Sequence, residues 1–138
     1  MTTKIEKFYI SSNGFNDLID ITSKIEHVIL NTEEKNALVN IYTPSSTASI
    51  MIIENEPGLA FDITNFLEQI IPINKIYQHD NVWHDGNAYA HIRASILNNG
   101  ITLPLIDSKL SLSTYQQIVL LDLDNKSSNR EIIVTVIN

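Results

Sequence analysis

Strands at both ends of the chain with helical periodicity between them predict an α+β fold built on a largely antiparallel sheet. Three observations carry this. Residues 4–11 (KIEKFYIS) are rich in β-branched and aromatic types, as strands are. Leu59, Ile63, Phe66, Leu67 and Ile70 recur at helical spacing. They lie between Pro57, suited to a helix's first turn, and Pro72, which stops it. Four segments near the C-terminus, 101–106, 109–113, 116–123 and 131–137, alternate or run apolar and are read as strands.

The remaining elements follow in order. Asn13-Gly14 marks a tight turn, because both residues tolerate positive φ. A short second strand follows through Phe15 to Ile21. Ser23-Lys24-Ile25-Glu26 has capping-box spacing and predicts a helix from there to near Asn31. Residues 37–43 and 48–53 are strands separated by the polar turn Pro44-Ser45-Ser46-Thr47. Residues 73–87 form a polar, aromatic loop containing His79, Trp83 and His84. A last helix runs from about Ala88 to Asn98, with Ile92 and Ile96 toward the core and Gly100 just past its end.

Composition narrows the function classes. A chain of 138 residues with 43% apolar content fits one domain, 1–138, with a single substantial core. The absence of cysteine excludes disulfides, thiolate–metal sites and a cysteine nucleophile. No apolar run approaches the roughly 18 residues of a membrane span. The opening MTTKIEKFY lacks a signal-peptide apolar block, so the expected location is cytoplasmic. Net charge is −7, and nine Lys and Arg are thinly spread, so neither nucleic acid nor an anionic membrane surface is expected as a partner.

Among residues able to do chemistry, His27 is read as a surface residue of the first helix. His79 and His91 are separated by a loop that allows their rings to meet. With a carboxylate they would make a metal site of the facial type; without one they are polar side chains of a wet surface. Asp62 flanks the apolar stripe of its helix and must reach solvent or a partner. Glu54 ends an apolar strand, and its plain role is a helix-capping acid near the positive end of the next helix. The hydroxyls of Ser45, Ser46 and Thr47 suit either a phosphate or an ordinary turn.

Read together, several stretches resemble the YjbQ-like family, whose members are often labelled secondary thiamine-phosphate synthases. They are Ser46-Thr47-Ala48-Ser49-Ile50, Glu54 to Leu59, Asp62, Tyr77-Gln78-His79-Asp80, and Asn87-Ala88-Tyr89-Ala90-His91 leading into Ile92–Leu97. Leu103 to Asp107 and Thr114-Tyr115-Gln116 complete the set. Order and spacing are kept over residues 45–138.

The resemblance implies an α+β sandwich of mostly antiparallel sheet with two to three helices, assembled as a homotrimer. It implies catalytic roles for His79, His91, Asp62 and Glu54. Ser45, Ser46, Thr47, Asn87, Thr114, Gln116 and Arg130 would contact substrate. A divalent metal, zinc or magnesium, would sit at His79, His91 and Asp62. The ligand would be a small, phosphorylated molecule, with Arg93 and Arg130 as phosphate contacts. The chain departs from the family pattern where a histidine is usual and Ser45 stands. It also departs at Ser108 and Ser113, where glycine is usual, and at Tyr115, where tryptophan is. In the last hairpin an arginine-rich turn is replaced by Asn125–Arg130. Losing a histidine removes a nitrogen ligand unless a neighbour such as His84 compensates, and losing arginines removes bidentate phosphate donors. Three functions follow: a thiamine-phosphate synthase-like transferase, a binding or structural trimer whose catalysis has decayed, and a metal-assisted hydrolase.

Overall fold

Two antiparallel sheets stack face to face in the computed structural model, which describes residues 1–138. The larger sheet has the order β1-β8-β3-β5-β6: β1 (Thr3–Ser12), β8 (Ser128–Ile137), β3 (Ala37–Tyr42), β5 (Gly100–Ile106) and β6 (Lys109–Leu110). The smaller has the order β2-β7-β4: β2 (Asp17–Asp20), β7 (Gln117–Asp122) and β4 (Ala48–Ile53). Four helices join them: α1 (Thr22–Thr32), α2 (Pro57–Ile70), α3 (Gln78–Trp83) and α4 (Ala88–Leu97).

The alternation of β8 places Ile132, Val134 and Val136 on the inner face, where Ile10, Val39, Ile41, Leu103 and Leu105 join them. Ile50, Ile118 and Leu120 meet them from the smaller sheet, and Ile25 and Ile29 of α1 enter the same core. Strand β7 does not alternate. Its apolar run is buried on both faces, since Leu121 and Leu123 face a second core with Leu67, Ile71, Tyr89, Ala90 and Ala94. The layers are therefore the helices α2 and α4, the small sheet, then the large sheet, whose outer face is bare.

Several local expectations change. Helix α1 starts at Thr22, with Ile21 at its N-cap and no side-chain cap, so the Ser23–Glu26 capping box does not form. Ile21 is fully buried and its N–H bonds to Ile118 O; packing sets this helix start. The 73–87 loop contains the short helix α3, giving four helices rather than two to three. On α4 the buried side chains are Ala88, Tyr89, Ala90, Arg93 and Ala94, while Ile92 and Ile96 are exposed. The alanines let the helix backbone approach the sheet, a face that bulky isoleucines would hold off. The strand expected over 109–113 shortens to Lys109–Leu110. Asp107 and Ser108 form its two-residue hairpin turn, both at positive φ (49° and 63°), which explains why glycine suits position 108. Gly14 is required by space as well as by φ, because a Cβ there would lie 2.3 Å from Lys126 O.

Candidate functional site

The site lies where the β3–β4 turn meets the C-terminal end of β7 and the start of α4. The local D-x-D of Asp122 and Asp124 puts two carboxylates on one side of an extended segment. Arg130 on β8 reaches them across the sandwich. Its Nε and Nη2 bind Asp122 at 2.7 and 2.6 Å. Nη2 also donates to Thr47 Oγ1 (3.0 Å), and Nη1 to Ser45 Oγ (2.8 Å). Thr47 Oγ1 donates to Asp124 (2.9 Å), and Ser128 Oγ to Asp122 (2.8 Å).

Asp122 is fully buried and Asp124 nearly so. Burial alone raises a carboxyl's pKa, but the hydrogen bonds from Arg130 and Ser128 outweigh it and hold Asp122 below the ordinary range. Asp124 is lowered in the same way: burial opposes, and Thr47, the Asn125 N–H and Asn87 prevail. Asp122 in turn raises Arg130 by hydrogen bonding. Two carboxylates and one guanidinium leave the cluster net negative. Arg130 is thus committed to holding the turn and has little left for an incoming phosphate.

Beside this cluster stand the histidines. The rings of His79, on α3, and His91, on α4, have centroids 4.6 Å apart and planes tilted by 57°. His79 Nε2 is buried without a hydrogen-bond partner and lies 3.8 Å from Asp85 Oδ1. Asp80 ties the two helices together by accepting from Ala88 N (3.0 Å). Asn87 links the histidines to the acidic cluster. In one amide orientation it donates to Asp124 at 3.3 Å, and in the other to Asp85 at 3.0 Å. A cavity of about 460 Å³ opens alongside, lined by Tyr42, Pro44, Ser45, Ser46, His91, Ala94, Ser95 and Asn99.

The structure therefore brings together Ser45, Ser46, Thr47, Asn87, His79, His91 and Arg130. It does not bring Asp62, Glu54, Thr114 or Gln116 to them. Asp62 is exposed in an apolar groove with Leu59, Phe66 and Ile70, and neither histidine is within ion-pair distance of it. Asp85 is the carboxylate beside His79. Glu54 is exposed beyond the far end of β4, and the acid that caps α2 is Glu56, whose carboxylate accepts from Gly58 N and Leu59 N. Thr114 and Gln116 line another cleft with Thr22 and Lys109, at the opposite end of β7. Six extended residues separate the two ends of β4, roughly 20 Å.

Arg93 is unavailable to ligand. It is fully buried, with Ile71 O, Asn16 and Glu68 taking its donors. His84 is the exposed left-handed residue that ends α3. The sequence reading missed Asp85, Asp122 and Asp124. The signal for the last two was present, an acidic pair at i and i+2 closing an apolar run.

A catalytic zinc site takes three protein ligands, with its imidazole nitrogens about 2 Å from the ion, and His79 and His91 offer two of them. The unpartnered His79 Nε2 fits the chemistry of such a donor, and the nearest carboxylate to it is Asp85 at 3.8 Å. No three His, Asp or Glu side chains already converge as a complete ligand set. No helix is long and apolar enough to cross a membrane.

Known proteins match this chain over nearly its whole length. A relative from Archaeoglobus fulgidus, named a UPF0047 protein, is 38% identical over 117 residues, 85% of this chain and 89% of its own. One from Methanocaldococcus jannaschii is 36% identical over 95% of this chain and 92% of its own. Among solved structures, a YbjQ-like protein of unknown function from Sulfolobus solfataricus superposes with a TM-score of 0.94 at 30% identity, covering 99% and 98% of the two chains. A hypothetical protein from Aeropyrum pernix gives 0.91 at 26% identity, covering 98% of each. The sequence model described as UPF0047 protein YjbQ-like matches residues 6–138, and with these relatives it shows that the chain belongs to the YjbQ-like UPF0047 family.

Proposed function

We propose that the protein binds a small polar molecule together with a divalent cation in the cavity between the β3–β4 turn and α4. One observation carries the reading: His79 and His91 meet at 4.6 Å while the buried Nε2 of His79 has no partner. A buried polar atom left unpaired is costly, and a bound group removes the cost. His79 and His91 would hold the cation, with Asp85 as the nearby carboxylate. Ser45, Ser46, Ser95 and Asn99 would orient the polar molecule.

A phosphorylated ligand fits only if the cation offsets its charge, because Arg130 and Arg93 are both occupied. That is the chemistry a cation supplies here: neutralising phosphate oxygens and, in a thiamine-phosphate synthase-like transfer, a departing pyrophosphate. The residues themselves orient the ligand and move a proton at His91, which lines the cavity. A trimer is part of the same reading, supported by the bare outer face of the large sheet. The alternative, a binding protein whose catalysis has decayed, draws support from Ser45, whose Oγ accepts from Arg130 where an imidazole is usual.

Isothermal titration with zinc at neutral pH tests the reading. The wild type binds weakly, having two imidazoles. Ser45 and His91 line one cavity, so Ser45→His adds a third and strengthens binding at least about tenfold, while Asp85→Asn weakens it. Equal affinities for wild type and Ser45→His, or tight binding by the wild type, overturn it.

A further inference from the structure

Asparagine is among the strongest helix N-cap residues, because its side chain accepts a hydrogen bond from the first turn. Asn87 occupies the N-cap of α4, yet its side chain makes no such bond. Asp80 instead accepts from Ala88 N at the start of that helix. Asn87 is 7% exposed, and its side chain stands between two carboxylates. One end of the amide lies 3.3 Å from Asp124 Oδ1, and the other lies 3.0 and 3.2 Å from the two oxygens of Asp85.

An amide has one donating end and one accepting end. Whichever carboxylate takes the NH2 group, the other faces the amide oxygen, acceptor against acceptor. The two carboxylates are not equal claimants. At Asp124 burial opposes ionisation, and hydrogen bonds from Thr47, the Asn125 N–H and Asn87 overcome it. The Asp85 side chain is nearly half exposed and has solvent for a partner. Taking a donor from the buried carboxylate costs more than taking one from the exposed carboxylate. The NH2 group therefore belongs to Asp124, and Asn87 Oδ1 is left against Asp85. A positive charge between them relieves that contact.

We propose that Asn87 is a metal ligand, its Oδ1 forming with the Asp85 carboxylate one edge of the ligand set that His79 begins. Two oxygens on neighbouring corners of an octahedron, each about 2.1 Å from the ion, are about 3.0 Å apart. The amide and Asp85 have that spacing. The same Asp85 Oδ1 lies 3.8 Å from the unpartnered His79 Nε2, so an oxygen and a nitrogen donor flank one carboxylate oxygen. Such a mixed set suits zinc or manganese. The ion is also tied to the cavity turn, because Thr47 Oγ1 donates to Asp124, the carboxylate that holds the other end of the amide. This deepens the cation component of the proposed function and rests on it.

Zinc titration of the wild type, Asn87→Ala and Asn87→Asp by calorimetry, with circular dichroism as a folding control, tests the proposal. Asn87→Ala removes the amide oxygen and lowers zinc affinity at least about tenfold. Asn87→Asp keeps an oxygen ligand and adds charge. It binds zinc at least as tightly as the wild type, while the metal-free variant unfolds at a lower temperature because three carboxylates then crowd together. A purely structural amide gives no such split. In crystals of the wild type grown with zinc, the anomalous peak lies within about 2.2 Å of Asn87 Oδ1. An Asn87→Ala variant that binds zinc like the wild type, or an ion at the histidines that leaves Asn87 out of contact, overturns this proposal and leaves the histidine reading standing. A wild type that binds no zinc overturns both.

Discussion

Two arginines are drawn into the interior of this small protein, and they do different work. Arg130 meets two buried carboxylates and two hydroxyls, one of them that of the cavity-lining Ser45. Arg93 lies under α4, where its partners are chiefly the Ile71 carbonyl and Asn16, with Glu68 half in solvent. The first holds charge against charge out of water, and the second serves as a bracket for the helix layer. A buried charge is tolerated only with its partners, so the two sites fail by different amounts.

The largest expected effect is at Arg130. Arg130→Met strands Asp122 without its counter-charge in a fully buried position, and costs about 3–5 kcal/mol in denaturant unfolding. A loss no larger than that of a surface substitution breaks the comparison. At Arg93 the expected effect is smaller. Arg93→Met leaves neutral groups unpaired, the Ile71 carbonyl above all, and costs about 1–3 kcal/mol with an unchanged denaturant slope. Equal losses at the two arginines would show that the charge of the Arg130 partners carries no special weight.

The smallest expected effect is one of slope. Asp122 and Asp124 have folded-state pKa values below their unfolded ones. Their contribution is therefore present above the ordinary carboxylate range and is lost as pH falls through the lowered folded values. Thermal unfolding midpoints should hold steady near neutrality and drop below about pH 4. In Asp122→Asn the drop is shallower. An unchanged acid limb in that variant would locate the acid sensitivity elsewhere.

Much of the fold was legible without coordinates. Strands β1, β3 and β4 announce themselves by residue type, α2 by its spacing between Pro57 and Pro72, and the class by their order. What failed was the direction of faces. The helical period identifies α4, but Ile92 and Ile96 look like its core residues until the sheet it packs on is known. Alanine and a saturated arginine bury there instead, because the distance between layers is set by the whole sandwich. In the site, the Tyr-x-His-Asp and Asn-Ala-x-x-His blocks marked His79, Asn87 and His91, and the hydroxyl turn marked Ser45 to Thr47. Asp62 and Glu54 were carboxylates in suggestive places, and spacing cannot say which way a helix or strand end points its acid.

By itself the sequence determined the α+β class, the periodicity of each element and the inventory of groups available for chemistry. These depend on neighbours a few residues apart. Only the tertiary structure decided which carboxylates sit beside which cations. Asp122 and Arg130, Arg93 and Glu68, His79 and His91 are joined by strand register and layer packing. Even where the partners are only 8 residues apart, as Asp122 and Arg130 are, the contact forms because β7 and β8 lie in different sheets, and no local pattern encodes how the layers stack.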